Sequence, residues 1–319
     1  MRKFLRFSLI IIGIILLIGL AGFSFIEVRG IPSYEVSKVD FKVNPTPESI
    51  ARGKKIVLLL CADCHRNNAT GKLTGRILSE VPHEFGNIYS QNITQDETYG
   101  IGSWTDGELV YLLRTGIKKD GKYAPPYMAK LPHLSDEDMN AVISFLRSND
   151  SLVATSATPD QPCEPSFLTK FLCMVAFKPY KMPTQKIEMP DTNNIVQFGQ
   201  YLVYNLECFS CHSADYKSDN WEEPEKSVGF LGGGNKPLDR EGRVMVTPNL
   251  TPDKETGIGN WTEQRFVNAL KYGLMENEHS LRFPMTPYIY LTDAEAKAIY
   301  AYLKTVPPIK NKVSRTAVN

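Results

Sequence analysis

The sequence predicts an all-α protein with two tandem helical domains behind an N-terminal transmembrane helix. Three observations predict it: one long apolar run opens the chain, the body is written twice, and neither copy shows the alternating pattern of a strand ladder. A length of 319 residues suits about two domains.

Residues 8–26, SLIIIGIILLIGLAGFSFI, contain no charge. As a helix this run spans roughly 28 Å, close to the thickness of the hydrocarbon core. Arg2, Lys3 and Arg6 precede it, and Glu27 and Arg29 follow it. The basic flank should stay cytoplasmic, which exports the remainder. Residues 1–31 are thus expected to be a single-pass anchor in the bacterial cytoplasmic membrane, with the body facing the periplasm. The rival is a cleaved signal peptide, whose apolar region usually spans about 7–15 residues and ends in an A-x-A-like site. No clear site of that kind follows the run.

The body repeats. NITQDETYGIGSWTDGELVYLLRTG begins at Asn92 and NLTPDKETGIGNWTEQRFVNALKYG at Asn249, an offset of 157 (249 − 92). Trp104 and Trp261, Met128 and Met285, Asp136 and Asp293, and Phe145 and Tyr302 share that offset. Upstream, Cys61-Ala-Asp-Cys64-His65 matches Cys208-Phe-Ser-Cys211-His212 at 147 (208 − 61). A period this long means duplicated domains, because solenoid repeats run about 20–50 residues. The expected division is domain 1 over 32–150, a linker over 151–192, domain 2 over 193–308 and a tail over 309–319.

Helix signals recur in both copies. Thr46-Pro47-Glu48 sets an N-cap and a first-turn proline before a helix running toward Cys61. Thr105-x-x-Glu108 and Thr292-x-x-Glu295 are capping boxes, and Ser135-x-x-Asp138 is a near variant. Met139, Val142, Ile143 and Leu146 form the apolar stripe of a closing helix. The Pro-rich linker holds Phe167, Leu168, Phe171, Leu172 and Val175 at helical spacing, a short helix expected to pack on a domain. The loops 66–91 and 213–248 are long for a compact domain unless a buried group organises them.

The CxxCH pentads supply that group. Two thiols two residues apart, followed at once by His, suit covalent haem attachment: Cys61 and Cys64, then Cys208 and Cys211, for two haem c groups. His65 and His212 would be the proximal iron ligands. A structural zinc needs about four ligands, and each pentad offers at most three. No βαβ pattern accompanies either pentad, as a thioredoxin-like CxxC would require. The sixth ligand should be soft or a second imidazole. Met128 and Met285 occupy one repeat position, in Pro-bearing loops before the closing helices, and are the expected ligands. His83, His133 and His279 have no repeat partners and are read as surface or supporting residues. Cys163 and Cys173 are left over, and a disulfide between them is open in an oxidising compartment. The Gly229–Gly234 stretch lacks a GK[ST] ending and reads as a loop near haem, not a phosphate loop. Trp104 and Trp261 suit either a haem edge or a plain core position.

CxxCH together with N-[IL]-T-x-D-x-x-x-G-I-G-x-W-T and a Met before the last helix resembles class I cytochrome c domains. More narrowly, the chain is similar to the multihaem cytochrome c subunits of membrane-bound quinoprotein alcohol dehydrogenases and flavoprotein gluconate or sorbitol dehydrogenases. The resemblance covers about residues 46–148 and 194–305. It implies two cytochrome c-type domains with His/Met ligation, and helix crossings at Gly53 near Phe145 and at Gly199 near Tyr302. Those subunits typically carry three haem domains; this chain shows two, with an N-terminal anchor. The implied function is electron transfer between redox proteins, with a dehydrogenase as donor and an oxidase or another cytochrome as acceptor. A dihaem peroxidase or thiosulfate-type dehydrogenase is the enzymatic alternative, and it would need unlike haems. A net charge of +1, from 36 Lys+Arg against 35 Asp+Glu, argues against nucleic acid as a partner.

Overall fold

A computed structural model of the chain describes residues 2–239, 241–275 and 280–313. It is mostly helical, in agreement with the expected class. The helices are α1 (Arg2–Arg29), α2 (Pro47–Leu60), α3 (Ala62–His65), α4 (Asp106–Thr115), α5 (Asp136–Leu146), α6 (Phe167–Val175), α7 (Ile195–Asn205), α8 (Cys208–His212), α9 (Glu263–Tyr272) and α10 (Asp293–Leu303). Among the described residues, strand pairing amounts to β1 (Gly86–Asn87) antiparallel to β2 (Glu164–Pro165), plus isolated bridges. α1 is long and apolar enough to cross a membrane, and its apolar stretch is not buried against the rest of the chain.

Two helical bodies follow one plan. α2 packs on α5 in the first, and α7 packs on α10 in the second. The stripe Met139, Val142, Ile143 and Leu146 is buried, where it meets Ile56 and Val57 of α2 and Leu109 and Val110 of α4. Val203, Phe266, Val267, Leu270, Ile299 and Leu303 form the corresponding second core. The expected caps are present. Thr105 with Glu108 and Thr292 with Glu295 make reciprocal boxes, and the Ser135 hydroxyl accepts from the Asp138 amide. Thr46 caps α2 and pairs reciprocally with Ser49. α4 and α9 both stop on a left-handed glycine, Gly116 and Gly273, which has no Cβ to oppose that conformation.

Residues 151–192 lie along the first body as a strap. The Asp160 carboxylate accepts from the Asn92 amide at 2.6 Å, β2 pairs with β1, the Tyr180 amide donates to the Thr115 carbonyl at 3.1 Å, and the Asp136 amide donates to the Ile187 carbonyl at 2.8 Å. α6 is the helix expected from the Phe167–Val175 spacing, and it packs on the short turn His83–Phe85 and on α1. Cys163 and Cys173 are free thiols. The Cys163 Sγ donates to the Tyr89 carbonyl at 3.1 Å, and Cys173, on the inner face of α6, is fully buried.

Candidate functional site

Each pentad sits just beyond a long helix. α2 ends at Leu60, Cys61 caps it, and α3 carries Ala62–His65. In the second body, Glu207 takes a left-handed conformation between α7 and α8, which carries Cys208–His212. Burial pushes the Cys61 and Cys208 thiols up to about 12 and Cys64 up to about 11, and it raises Cys211 as well. All four cysteines are half-buried, so their side chains remain reachable at the surface of the two bodies.

The two histidines are held alike. His65 Nδ1 lies 2.7 Å from the Gln91 carbonyl, and His212 Nδ1 lies 2.9 Å from the Pro248 carbonyl. A carbonyl can only accept, so Nδ1 carries the proton and Nε2 keeps its lone pair. Burial lowers both histidine pKa values, which favours the neutral ring. Gln91 and Pro248 are 157 positions apart (248 − 91), and each directly precedes the Asn-x-Thr motif.

That motif steadies the carbonyl. Asn92 Oδ1 accepts from the Thr94 amide at 2.9 Å and its hydroxyl at 2.7 Å; Asn249 Oδ1 accepts from the Thr251 amide and hydroxyl at the same two distances. Asp96 Oδ1 caps the Thr98 and Tyr99 amides, and Asp253 Oδ1 caps those of Glu255 and Thr256. Each asparagine also ties in the chain that follows its closing helix. Asn92 Nδ2 donates to the Ser156 and Thr158 carbonyls, and Asn249 Nδ2 to the Ile309 carbonyl. Loops wrap the pentads on another side: the Gly75 amide donates to the His65 carbonyl at 2.8 Å, and the Gly233 amide to the His212 carbonyl at 2.7 Å. The glycine-rich Gly229–Gly234 stretch therefore serves the second pentad.

Met128 lies half-buried in a turn where its amide donates to the Pro125 carbonyl at 3.0 Å. Met285 is half-buried on the margin of the second core, together with Cys208 and Trp261; Cys61 and Trp104 lie on the margin of the first. Both Met loops hang from the end of the preceding helix. The Leu131 amide donates to the Leu113 carbonyl at 2.7 Å, and the Tyr288 amide to the Leu270 carbonyl at 2.9 Å. These anchors too are 157 apart (288 − 131 and 270 − 113). A cation covers one face of each tryptophan, Lys119 at 5.2 Å from the Trp104 ring and Arg265 at 4.2 Å from that of Trp261.

The two sites adjoin. Thr286, next to Met285, donates to the carboxylate of Asp63, inside the first pentad, at 3.4 Å. Leu59 and Leu60, just before Cys61, pack into the second core. Tyr201 of α7 donates to Asp138 of α5 at 2.6 Å and accepts from the Ser135 amide at 3.0 Å. His133 Nε2 lies 2.8 Å from the Trp221 carbonyl, so this histidine joins the bodies. His83 lies in the turn under α6, and His279 falls outside the described residues. Sequence reasoning missed the Gln91 and Pro248 carbonyls and the Asp63–Thr286 contact. The place of Gln91 and Pro248 before a repeated motif is the signal that marks them.

The donor set fits haem c. Each pentad offers two thiols for thioether bonds and one neutral imidazole whose remaining lone pair is on Nε2. Among the described residues, no group of three or more His, Cys, Asp or Glu gathers as a zinc site would require.

The family model described as cytochrome c matches residues 50–150 and 178–307. The chain is 30% identical over 268 residues to the cytochrome c subunit of a quinone alcohol dehydrogenase from Komagataeibacter europaeus, covering 78% of this chain and 54% of that protein. It is 30% identical over 303 residues to the fructose dehydrogenase cytochrome subunit of Gluconobacter japonicus, covering 86% and 57%. A diheme cytochrome c-type protein of Cereibacter sphaeroides is 28% identical over 268 residues, covering 78% and 83%. The chain spans little more than half the length of the dehydrogenase subunits it matches.

Proposed function

The chain belongs to the cytochrome c family, and from that premise we propose that it is a membrane-anchored dihaem c-type cytochrome passing electrons between redox proteins on the periplasmic face of the bacterial cytoplasmic membrane. The observation that carries the proposal is the doubled histidine lock, His65 on Gln91 and His212 on Pro248, at one repeat register. Cys61 and Cys64 would hold the first haem, and Cys208 and Cys211 the second. His65 and His212, through Nε2, and Met128 and Met285, through sulfur, would be the ligands of the two irons. Bound haem supplies one-electron exchange between ferric and ferrous iron. The protein contributes fixed imidazole tautomers, braced Met loops and burial.

Domain boundaries at 32–150 and 193–308, with the strap between them, belong to this reading. So does the orientation, which rests on Arg2, Lys3 and Arg6 ahead of the uncharged run of α1. A dehydrogenase as donor is supported by the relatives named as subunits of quinone alcohol and fructose dehydrogenases. An oxidase or a further cytochrome would be the acceptor. The contact of Asp63 with Thr286 supports transfer between the two sites within one chain. The likeness of the two sites favours a carrier over a dihaem enzyme, which divides labour between unlike centres.

Intact-mass measurement of protein exported from a haem-maturing host tests the proposal. The wild type should gain the mass of two haems, and Cys61→Ala or Cys211→Ala should reduce attachment at one site only. Unmodified cysteines in the wild type would overturn the reading.

A further inference from the structure

α6 is built inside out for a helix on a soluble protein. Its buried positions are Thr169 and Cys173, and the Thr169 hydroxyl donates to the Phe85 carbonyl at 2.7 Å. At about 100° per residue, Leu168, Phe171 and Val175 fall on the opposite side. They are 40%, 40% and 58% exposed. A surface helix normally turns such residues inward, so a contiguous outward apolar stripe marks a contact surface.

The neighbour of that stripe is α1. The Phe167 ring stacks on Phe23 at 4.8 Å, and Phe171 stacks on Phe167 at 6.2 Å. Lys170 pairs with Glu27. Phe23 belongs to the uncharged run of residues 8–26, and Glu27 is the first charge beyond it. α6 therefore meets α1 where the apolar run ends, and its exposed stripe continues the apolar shell of α1. Lys178 and Lys181, both exposed, follow the helix and suit a phosphate-bearing surface.

We propose that α6 lies in the surface of the phospholipid bilayer beside α1, with Leu168, Phe171 and Val175 in the headgroup–acyl boundary, as a second membrane contact. The inference rests on reading α1 as the membrane anchor. β2 and the Thr169–Phe85 bond fasten this region to the first body, so the contact fixes how that body stands on the membrane.

Photo-crosslinking of the full haem-loaded chain in native membranes tests it. p-Benzoylphenylalanine replaces one residue at a time: Phe171→p-benzoylphenylalanine and Val175→p-benzoylphenylalanine in α6, Leu16 in α1 as the anchor control, and exposed Val228 of the second body as the solvent control. Peptides bearing positions 171 and 175 should gain phospholipid mass, several-fold above position 228 and comparable with position 16. Lipid adducts at 16 but only protein adducts, or none, at both 171 and 175 would overturn the inference and leave the anchor standing; protein adducts there would point to a partner subunit or a second copy. Absence of lipid adducts at position 16 would remove the anchor reading and this inference together.

Discussion

Gly53 of α2 lies so close to Ala141 of α5 that a Cβ on it would sit 1.8 Å from the Ala141 carbonyl oxygen and 2.9 Å from the Phe145 Cβ. Gly199 of α7 stands in the same relation to Ala298 and Tyr302, at 1.9 and 2.9 Å. These crossings set the start of each pentad, because α2 and α7 run directly toward Cys61 and Cys208. The clash is with backbone, which cannot swing aside. Gly53→Ala and Gly199→Ala should each destabilise one body by about 3 kcal/mol, at the upper end of overpacking costs. Denaturant unfolding of each variant, followed by amide exchange in both bodies, should place the loss in the mutated body.

Asn92 is 2% exposed and Asn249 is 3% exposed, with their amides satisfied on both sides. Asn92→Ala removes the acceptor for the Thr94 amide and the donor for Ser156 and Thr158, which strands buried groups at about 1–3 kcal/mol. The Gln91 carbonyl that holds His65 should then loosen. We expect faster amide exchange over residues 90–96 and a shifted reduction potential at the first site alone. Asn249→Ala should do the same at the second. A shift at both sites from either variant would mean that the motif acts globally.

Elements legible in the sequence are those whose partners are close along the chain. Thr105 and Glu108 are three residues apart, so their box can be read directly; Thr46 reads as a cap, but its partner Ser49 lies outside the Glu/Gln template. The pentads and the paired Met positions are legible through the repeat. Gln91 and Pro248 act through backbone carbonyls, which every residue carries, so no side-chain signal marks them. The Pro-rich composition of residues 151–192 suggests a spacer, whereas backbone bonds to Phe85, Thr115 and Asp136 make it a strap. The spacing of Phe167–Val175 reveals a helix but not its outward face, because its neighbour Phe23 is more than a hundred residues away. Tyr201 and Asp138, 63 positions apart, are likewise invisible as a pair.

The junction of the bodies should respond to acid. Lys55 of α2 pairs with Glu295 of α10. Burial raises the Glu295 pKa, but the hydrogen bonds from Lys55 and Thr292 and the Lys55 charge outweigh it, so the net shift is downward. A carboxyl with a depressed folded pKa stabilises fully above its unfolded value and loses that contribution as pH falls through the folded one. The pair should therefore hold above about pH 5 and fail progressively below about pH 4, with an effect on the order of 1 kcal/mol for a partly exposed pair. Energy transfer between dyes on the two bodies should fall over that interval. Lys55→Met should weaken the dependence while leaving the cap of α10 intact, since Thr292 and Glu295 remain. An unchanged acid response in Lys55→Met would show that other groups control the junction.

Six-coordinate iron at both sites separates a relay from an oxidase or peroxidase. A thioether is a weak ligand for ferric iron and stays on only if its loop is braced. Here the braces are the Leu131–Leu113 and Tyr288–Leu270 hydrogen bonds, at 2.7 and 2.9 Å, which tie the two Met loops back to the ends of α4 and α9. Met128→Ala and Met285→Ala should each remove about half of the ferric sulfur-to-iron charge-transfer band, given one thioether per site. Each should lower one of two potentials, within the ~0.8 V range that axial ligands command, and open one iron to carbon monoxide. The double variant should lose the band entirely and bind two equivalents. If the wild type binds carbon monoxide readily at one site, or Met285→Ala leaves the band intact, the two sites are unlike. Matching braces would then not have produced matching ligands, and a catalytic centre would be the better account of the open one.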